Sequence, residues 1–172
     1  MKNITFFEPV FQPAFCHWLL DQAREGYRKG TGYDASNQDW DPRITRGSTR
    51  IRVRNLDGVA EKLILSLLRD RGAIDNQPHG AMLFAGETGS FIFWHNDAMY
   101  GGATTVYLNE RWEEDWGGQF LYREAKDAEP ISILPRFNSG LRNSAALDHR
   151  TLPVTQLAPE PRFSLQVFAI KE

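Results

Sequence analysis

Residues 81–109 read AMLFAGETGSFIFWHNDAMYGGATTVYLN, and the texture of this stretch decides the fold. Three short runs rich in aromatic and β-branched residues, AMLF, SFIFWHND and ATTVYLN, are separated by Gly, Asn and Asp, which is the pattern of strands joined by turns. The same texture continues downstream in GGQFLYRE, PISIL, LPVTQL and RFSLQVFAI. Several short strands at close spacing predict a β-sandwich or jelly roll.

Upstream of residue 80 the period changes to 3.6. From Pro13 to Glu25 the residues Phe15, Trp18, Leu19 and Ala23 fall on one helical face, with Pro13 in the first turn and Gly26 past the end. A second helix is predicted from Asp57 to Arg69, with Ala60, Leu63, Ile64, Leu67 and Leu68 as its apolar stripe. Asn55 or Asp57 can cap it, and Gly72 stops it. Between the two lies GTGYDASNQDWDPRITRGS, residues 30–48, whose Gly, Asp, Asn and Ser content predicts a long, substrate-facing loop. The expected fold class is α+β, mainly β. One domain is expected over residues 1–172, with a helical part over about 1–80 packed outside a jelly-roll core over about 80–172.

A chain of 172 residues, 41% of them hydrophobic, is long enough for one core and short for two. A formal net charge of -2 gives no global push toward nucleic acid or an anionic membrane. Glu8, Pro9, Gln12, Pro13 and His17 interrupt the apolar N-terminus, which lacks the continuous core of a signal peptide, and no run reaches membrane-spanning length. The single cysteine, Cys16, excludes an internal disulfide framework and fits a reducing compartment. A cytoplasmic protein with neither a nucleic-acid nor a membrane partner is expected.

His95 and Asp97 stand two apart in WHND. With 22 acids in the chain, about two chances in five favour at least one such pair among four histidines, so the pair proves nothing alone. On a strand, however, the two side chains share a face. A metal held by both needs a third ligand, and His149 in LDHRTLPV is the candidate. Two imidazoles and a carboxylate leave open positions of the kind used by non-haem Fe(II) oxygenases, although zinc hydrolases use a similar donor set. Arg162 discriminates between them. In PRFSLQVFAI, Arg162, Ser164 and Gln166 share one strand face, and a guanidinium inside a barrel needs an anion, for which its planar fork suits a carboxylate.

In order and spacing, HND (95–97), TTVYLNERWEEDWGGQF (104–120), PRFN (135–138), DHRTLPV (148–154) and RFSLQVF (162–168) resemble the Fe(II)/2-oxoglutarate-dependent oxygenases of the prolyl-hydroxylase-like branch. The likeness covers roughly residues 80–170. It implies a double-stranded β-helix, a jelly-roll variant, in which His95, Asp97 and His149 bind Fe(II) and Arg162 pairs with the distal carboxylate of 2-oxoglutarate. Ser164 matches the Arg-x-Ser pair of many such enzymes, and Tyr107 matches a tyrosine that bonds the same carboxylate. Phe84 departs from the pattern, standing where many members carry a tyrosine. The implied reaction consumes O2 and 2-oxoglutarate, releases succinate and CO2, and oxidises a C–H bond of the substrate. Related halogenases lack the carboxylate ligand, so Asp97 points to hydroxylation.

From the compactness of the chain, a small molecule or amino acid is the expected substrate, with a peptidyl, prolyl-type substrate as the alternative. A rival of another class is a noncatalytic metal-binding cupin-like barrel, which gives Arg162 and Tyr107 no role. In RITRGSTRIRVRN, Arg50, Arg52 and Arg54 share one strand face and are candidates for an anionic substrate group, or for a solvated charged face over a packed apolar one. His17, His79 and Cys16 are read as structural, and Trp112 and Trp116 as loop anchors. Oligomeric state has no signal here.

Overall fold

The structure, a computed structural model, describes residues 3–30, 34–35 and 51–170. In chain order its elements are β1 (Ile4–Phe7), α1 (Pro13–Lys29), β2 (Asp34–Ala35), β3 (Ile51–Asn55), α2 (Gly58–Asp70), β4 (His79–Gly86), β5 (Ile92–His95), β6 (Gly102–Tyr107), β7 (Phe120–Arg123), β8 (Ile131–Ile133), β9 (Gly140–Ser144), β10 (Asp148–Thr151) and β11 (Arg162–Ala169). They build two antiparallel sheets, β1-β9-β6-β11-β4-β3-β2 and β5-β10-β7-β8. The predicted jelly-roll architecture is present, but its strands do not all come from the C-terminal half: β1, β2 and β3 extend both sides of the larger sheet.

Period-2 alternation on β11 divides the molecule into two compartments. Phe163, Leu165 and Val167 face outward and join Ala81, Leu83, Ala85 and Val106 in the main apolar cluster, which α1 and α2 cover. Arg162, Ser164 and Gln166 face the smaller sheet. Cross-strand register carries the same inner face through Phe84 on β4 and Thr105 and Tyr107 on β6, then through Leu141 and Asn143 on β9. The two inner faces meet in smaller clusters. One joins Tyr107 and Leu141 to Phe120 and Tyr122 of the other sheet, and another joins Phe84 and Phe168 to Ile92.

Both helices sit where predicted, with their buried faces rotated from the predicted stripes. On α1 the buried positions are Cys16, Leu19, Leu20, Ala23 and Gly26, while Trp18 is 43% exposed and stacks on Phe15. Small side chains at 16, 23 and 26 let the helix approach the sheet closely, a packing preference that hydrophobic weight alone misses. Gly26 therefore lies inside the helix, and Gly30, at a φ of 63°, ends it. On α2, Leu65 is buried and Leu63 is 46% exposed. Asp57 occupies the N-cap position without a side-chain capping bond.

Two strand expectations change. LPVTQL contributes only an isolated bridge between Val154 and Gly117, as Pro153 has no N–H to donate to a ladder. The strand there is the preceding, polar β10. Strand β9, in the segment GLRNS, gave no apolar signal. Its anchor is Asn138, whose side chain accepts from the Phe11 N–H and donates to the Phe11 carbonyl, fastening PRFN to the segment after β1. Burial pushes the Cys16 thiol up to about 12, consistent with an inert core residue.

Candidate metal centre

His95 ends β5, and His149 lies directly opposite it on β10 in the antiparallel register. Asp97 is beyond the strand, in a turn closed by the Tyr100 N–H donating to the Asp97 carbonyl. The pair therefore converges through a strand end and a turn, where the sequence suggested one continuous strand. The carboxylate oxygens of Asp97 lie 3.8 Å from His95 Nε2 and 3.6 Å from His149 Nε2. One donor atom from each residue fits within 4.8 Å of the others.

The surroundings prepare these groups for a cation. His95 Nδ1 donates to the Phe93 carbonyl and His149 Nδ1 to the Leu147 carbonyl, each at 2.8 Å. Those bonds place a proton on each Nδ1 and orient each Nε2 toward Asp97. Burial, helped by neighbouring His149, holds the His95 imidazole well below its ordinary pKa, and therefore neutral. The His149 ring stacks on Phe120. Asn143 donates to Asp97 Oδ2 at 2.8 Å.

The cavity around this triad is lined on its other walls by Phe84, Ile92, Thr105, Tyr107, Arg162 and Gln166. Arg162 is buried, its Nε has no hydrogen-bond partner, and the Tyr107 hydroxyl is likewise buried and unpartnered. The guanidinium lies over the Tyr107 ring, 5.8 Å from its centroid. Burial pushes the Tyr107 phenol up to about 12, against the opposing influence of Arg162, so it is a neutral donor. A buried cation and a buried O–H without acceptors cost several kcal/mol together, and both needs are met by one carboxylate. Ser164 is fully buried, but it does not line the cavity; its hydroxyl accepts from Gln166, which in turn accepts from Thr105.

Other candidates lie elsewhere. Arg50 falls outside the described residues. Arg52 is exposed, alternates with the inward-facing Ile51 and Val53, and pairs with Glu87 at 2.5 Å. It is not brought to the cavity, and the solvated-face reading describes it. His17 pairs with Glu110 and His79 with Asp75. Trp112 donates to the Gly117 carbonyl and packs edge-on against Trp116, anchoring the loop before β7. Asn143 was missed because no strand was legible there. Thr105 was overlooked although it lies two residues from Tyr107, on the same face.

Residues 80–169 match the family model described as the 2OG-Fe(II) oxygenase superfamily. The chain belongs to this superfamily. As a 2OG-Fe(II) oxygenase it is an enzyme, a dioxygenase that uses Fe(II), 2-oxoglutarate and O2, and the hydrolase and noncatalytic-barrel alternatives fall away. No curated protein sequence matches it. Among solved structures, a prolyl-4-hydroxylase of Pseudomonas putida is 18% identical, with a TM-score of 0.76 over 99% of this chain and 93% of that one. A prolyl hydroxylase of Trichoplax adhaerens, in complex with a peptide fragment of the hypoxia inducible factor oxygen degradation domain, is 16% identical with a TM-score of 0.77, covering 99% and 84%. HygX of Streptomyces hygroscopicus, with nickel and 2-oxoglutarate bound, is 11% identical with a TM-score of 0.62, covering 98% and 83%. These likenesses establish the double-stranded β-helix fold of this 2OG-Fe(II) oxygenase. Among the described residues no helix is long and apolar enough to cross a membrane.

Proposed function

We propose that the 2OG-Fe(II) oxygenase hydroxylates an aliphatic C–H bond, with His95, Asp97 and His149 holding Fe(II) and Arg162, assisted by Tyr107, holding the distal carboxylate of 2-oxoglutarate. The observation that carries this reading is the unpartnered buried guanidinium in the same cavity as the triad. The donor set fits Fe(II): two imidazoles and one carboxylate, with positions left for other ligands. When bound, iron and cosubstrate supply the oxidising power through oxidative decarboxylation. The protein holds the two imidazoles in one tautomer, orients the Asp97 carboxylate, and excludes water with Phe84, Ile92 and Phe120. Ser164 and Gln166 support the floor of the site through the chain of bonds to Thr105.

For the substrate, our reading is a small molecule or free amino acid. A peptidyl residue is a second reading, supported by the fold likeness to a prolyl hydroxylase in complex with a peptide fragment. The lone buried Cys16 supports a reducing, cytoplasmic setting. Anaerobic addition of Fe(II) and then 2-oxoglutarate to metal-free protein tests the site. The visible charge-transfer absorbance of a chelated keto acid is expected in the parent, absent in His95→Ala, and displaced to much higher cosubstrate concentration in Arg162→Ala. An unchanged cosubstrate requirement in the arginine variant removes that assignment. Succinate release with free amino acids against prolyl peptides separates the two substrate readings.

A further inference from the structure

Arg162 is attached to a backbone that one side chain pins on both sides. Asn109, two residues past the end of β6 and 2% exposed, accepts the Phe163 N–H at 2.7 Å and donates to the Pro161 carbonyl at 3.0 Å. Those two groups belong to the peptide planes immediately before and after the Arg162 Cα. The orientation of the Asn109 amide is unambiguous, because an N–H can only donate and a carbonyl can only accept. Its second amide proton goes to Glu160 Oε1 at 3.0 Å. Arg24, from α1, grips the same carboxylate with Nε on Oε2 at 2.9 Å and Nη2 on Oε1 at 2.8 Å. The bidentate geometry gives the pair direction as well as attraction. The flexible guanidinium is thus carried on a fixed root.

We propose that Asn109 is a positioning residue for Arg162, held in that role by the Arg24–Glu160 ion pair, so that α1 helps to set the affinity for the distal carboxylate of the cosubstrate. The proposal rests on the reading of Arg162 given above. Its physical basis is that a binding group misplaced by about 1 Å can lose on the order of 100-fold, and both backbone planes that aim this side chain are fixed by one amide. Next to this root, Gly118 gives the side chain its room: a Cβ there would stand 2.8 Å from Arg162 Cδ.

The test compares two keto acids on the Fe(II)-loaded enzyme under anaerobic conditions: 2-oxoglutarate, and 2-oxopentanoate, which has the same chain length but no distal carboxylate. Dissociation constants are read from the charge-transfer band. Asn109→Ala is expected to weaken 2-oxoglutarate by about 10-fold or more, the range for lost supporting bonds, and 2-oxopentanoate by less than about 2-fold. Arg24→Gln, which leaves Asn109 and Glu160 in place, is expected to show a smaller loss, also confined to 2-oxoglutarate, and it serves as the test if Asn109→Ala does not fold. Affinity for Mn(II) should be unchanged in both. Equal weakening of the two acids by Asn109→Ala, or by Arg24→Gln where that variant stands in, overturns the positioning role. If Arg162→Gln itself fails to distinguish the two acids, the underlying assignment of Arg162 fails instead.

Discussion

Asp97 is the anionic member of the candidate triad, and the interaction that orients its carboxylate comes from a neutral neighbour. Asn143 is 2% exposed and donates its amide proton to Oδ2, satisfying one acceptor while leaving the net charge of the site untouched. Replacing it with alanine frees the carboxylate to rotate in a buried site. Such supporting bonds are typically worth 10–100-fold in metal affinity, so Asn143→Ala should bind Mn(II) or Fe(II) about 10-fold or more weakly by calorimetric titration, with the unfolding midpoint of the metal-free protein little changed. Equal metal affinity in parent and variant would refute the orienting role. The legibility of these residues follows from their chemistry. His95, Asp97, His149 and Arg162 are costly to bury without a ligand, and such groups stand out in any apolar context. Asn143 is polar yet cheap, and Thr105 resembles any strand threonine; only the register that places them on the cavity wall marks them. Arg52 had two readings in the sequence, an anion site or a solvated face over a packed apolar one, and the burial of Ile51 and Val53 agrees with the second.

At the scale of elements, the turn that enters β7 is shaped by two consecutive glycines with positive φ, Gly117 at 71° and Gly118 at 68°. A Cβ on Gly117 would stand 1.9 Å from the Pro153 carbonyl oxygen, so that position tolerates no side chain while the Gly117–Val154 bridge exists. Gly118 is the more informative site, because the nearest atom a side chain would meet is Arg162 Cδ, ahead of Val154 Cγ2. Gly118→Ala combines a left-handed backbone cost of about 1–2 kcal/mol with displacement of the arginine stem. The expected result is a higher 2-oxoglutarate requirement, at unchanged Mn(II) affinity, along with a modest fall in stability; a fall in stability alone would show that Arg162 yields without consequence. Strands rich in aromatic and β-branched residues, such as β6 and β11, were legible as elements because their own composition favours an extended, buried chain. Strand β9 was not. Its Gly140–Ser144 segment is held by neighbours on both sides, β1 and β6, and by the Asn138 clamp, so its conformation is imposed by tertiary context rather than by local preference.

The whole molecule puts most of its stability and its chemistry on opposite faces of one sheet, the Arg24–Glu160–Asn109 link from α1 being the exception. The apolar face of the larger sheet carries α1 and α2, and Leu68 on α2 is fully buried there among Leu19, Leu83 and Leu165; the polar face carries the cavity. Truncating Leu68 to alanine should cost about 2–5 kcal/mol, measured by denaturant unfolding. Sites well separated and without shared partners contribute nearly independently, so the folded fraction of Leu68→Ala should titrate with Mn(II) and 2-oxoglutarate at parental affinity. Ligand held at about 100 times its dissociation constant should then restore about 2.7 kcal/mol to parent and variant alike, because the gain depends only on occupancy of the folded state. A smaller restoration in the variant would mean that α2 and the cavity are coupled through the sheet, and the natural carrier of that coupling is β11, which contributes Leu165 to one face and Arg162 to the other.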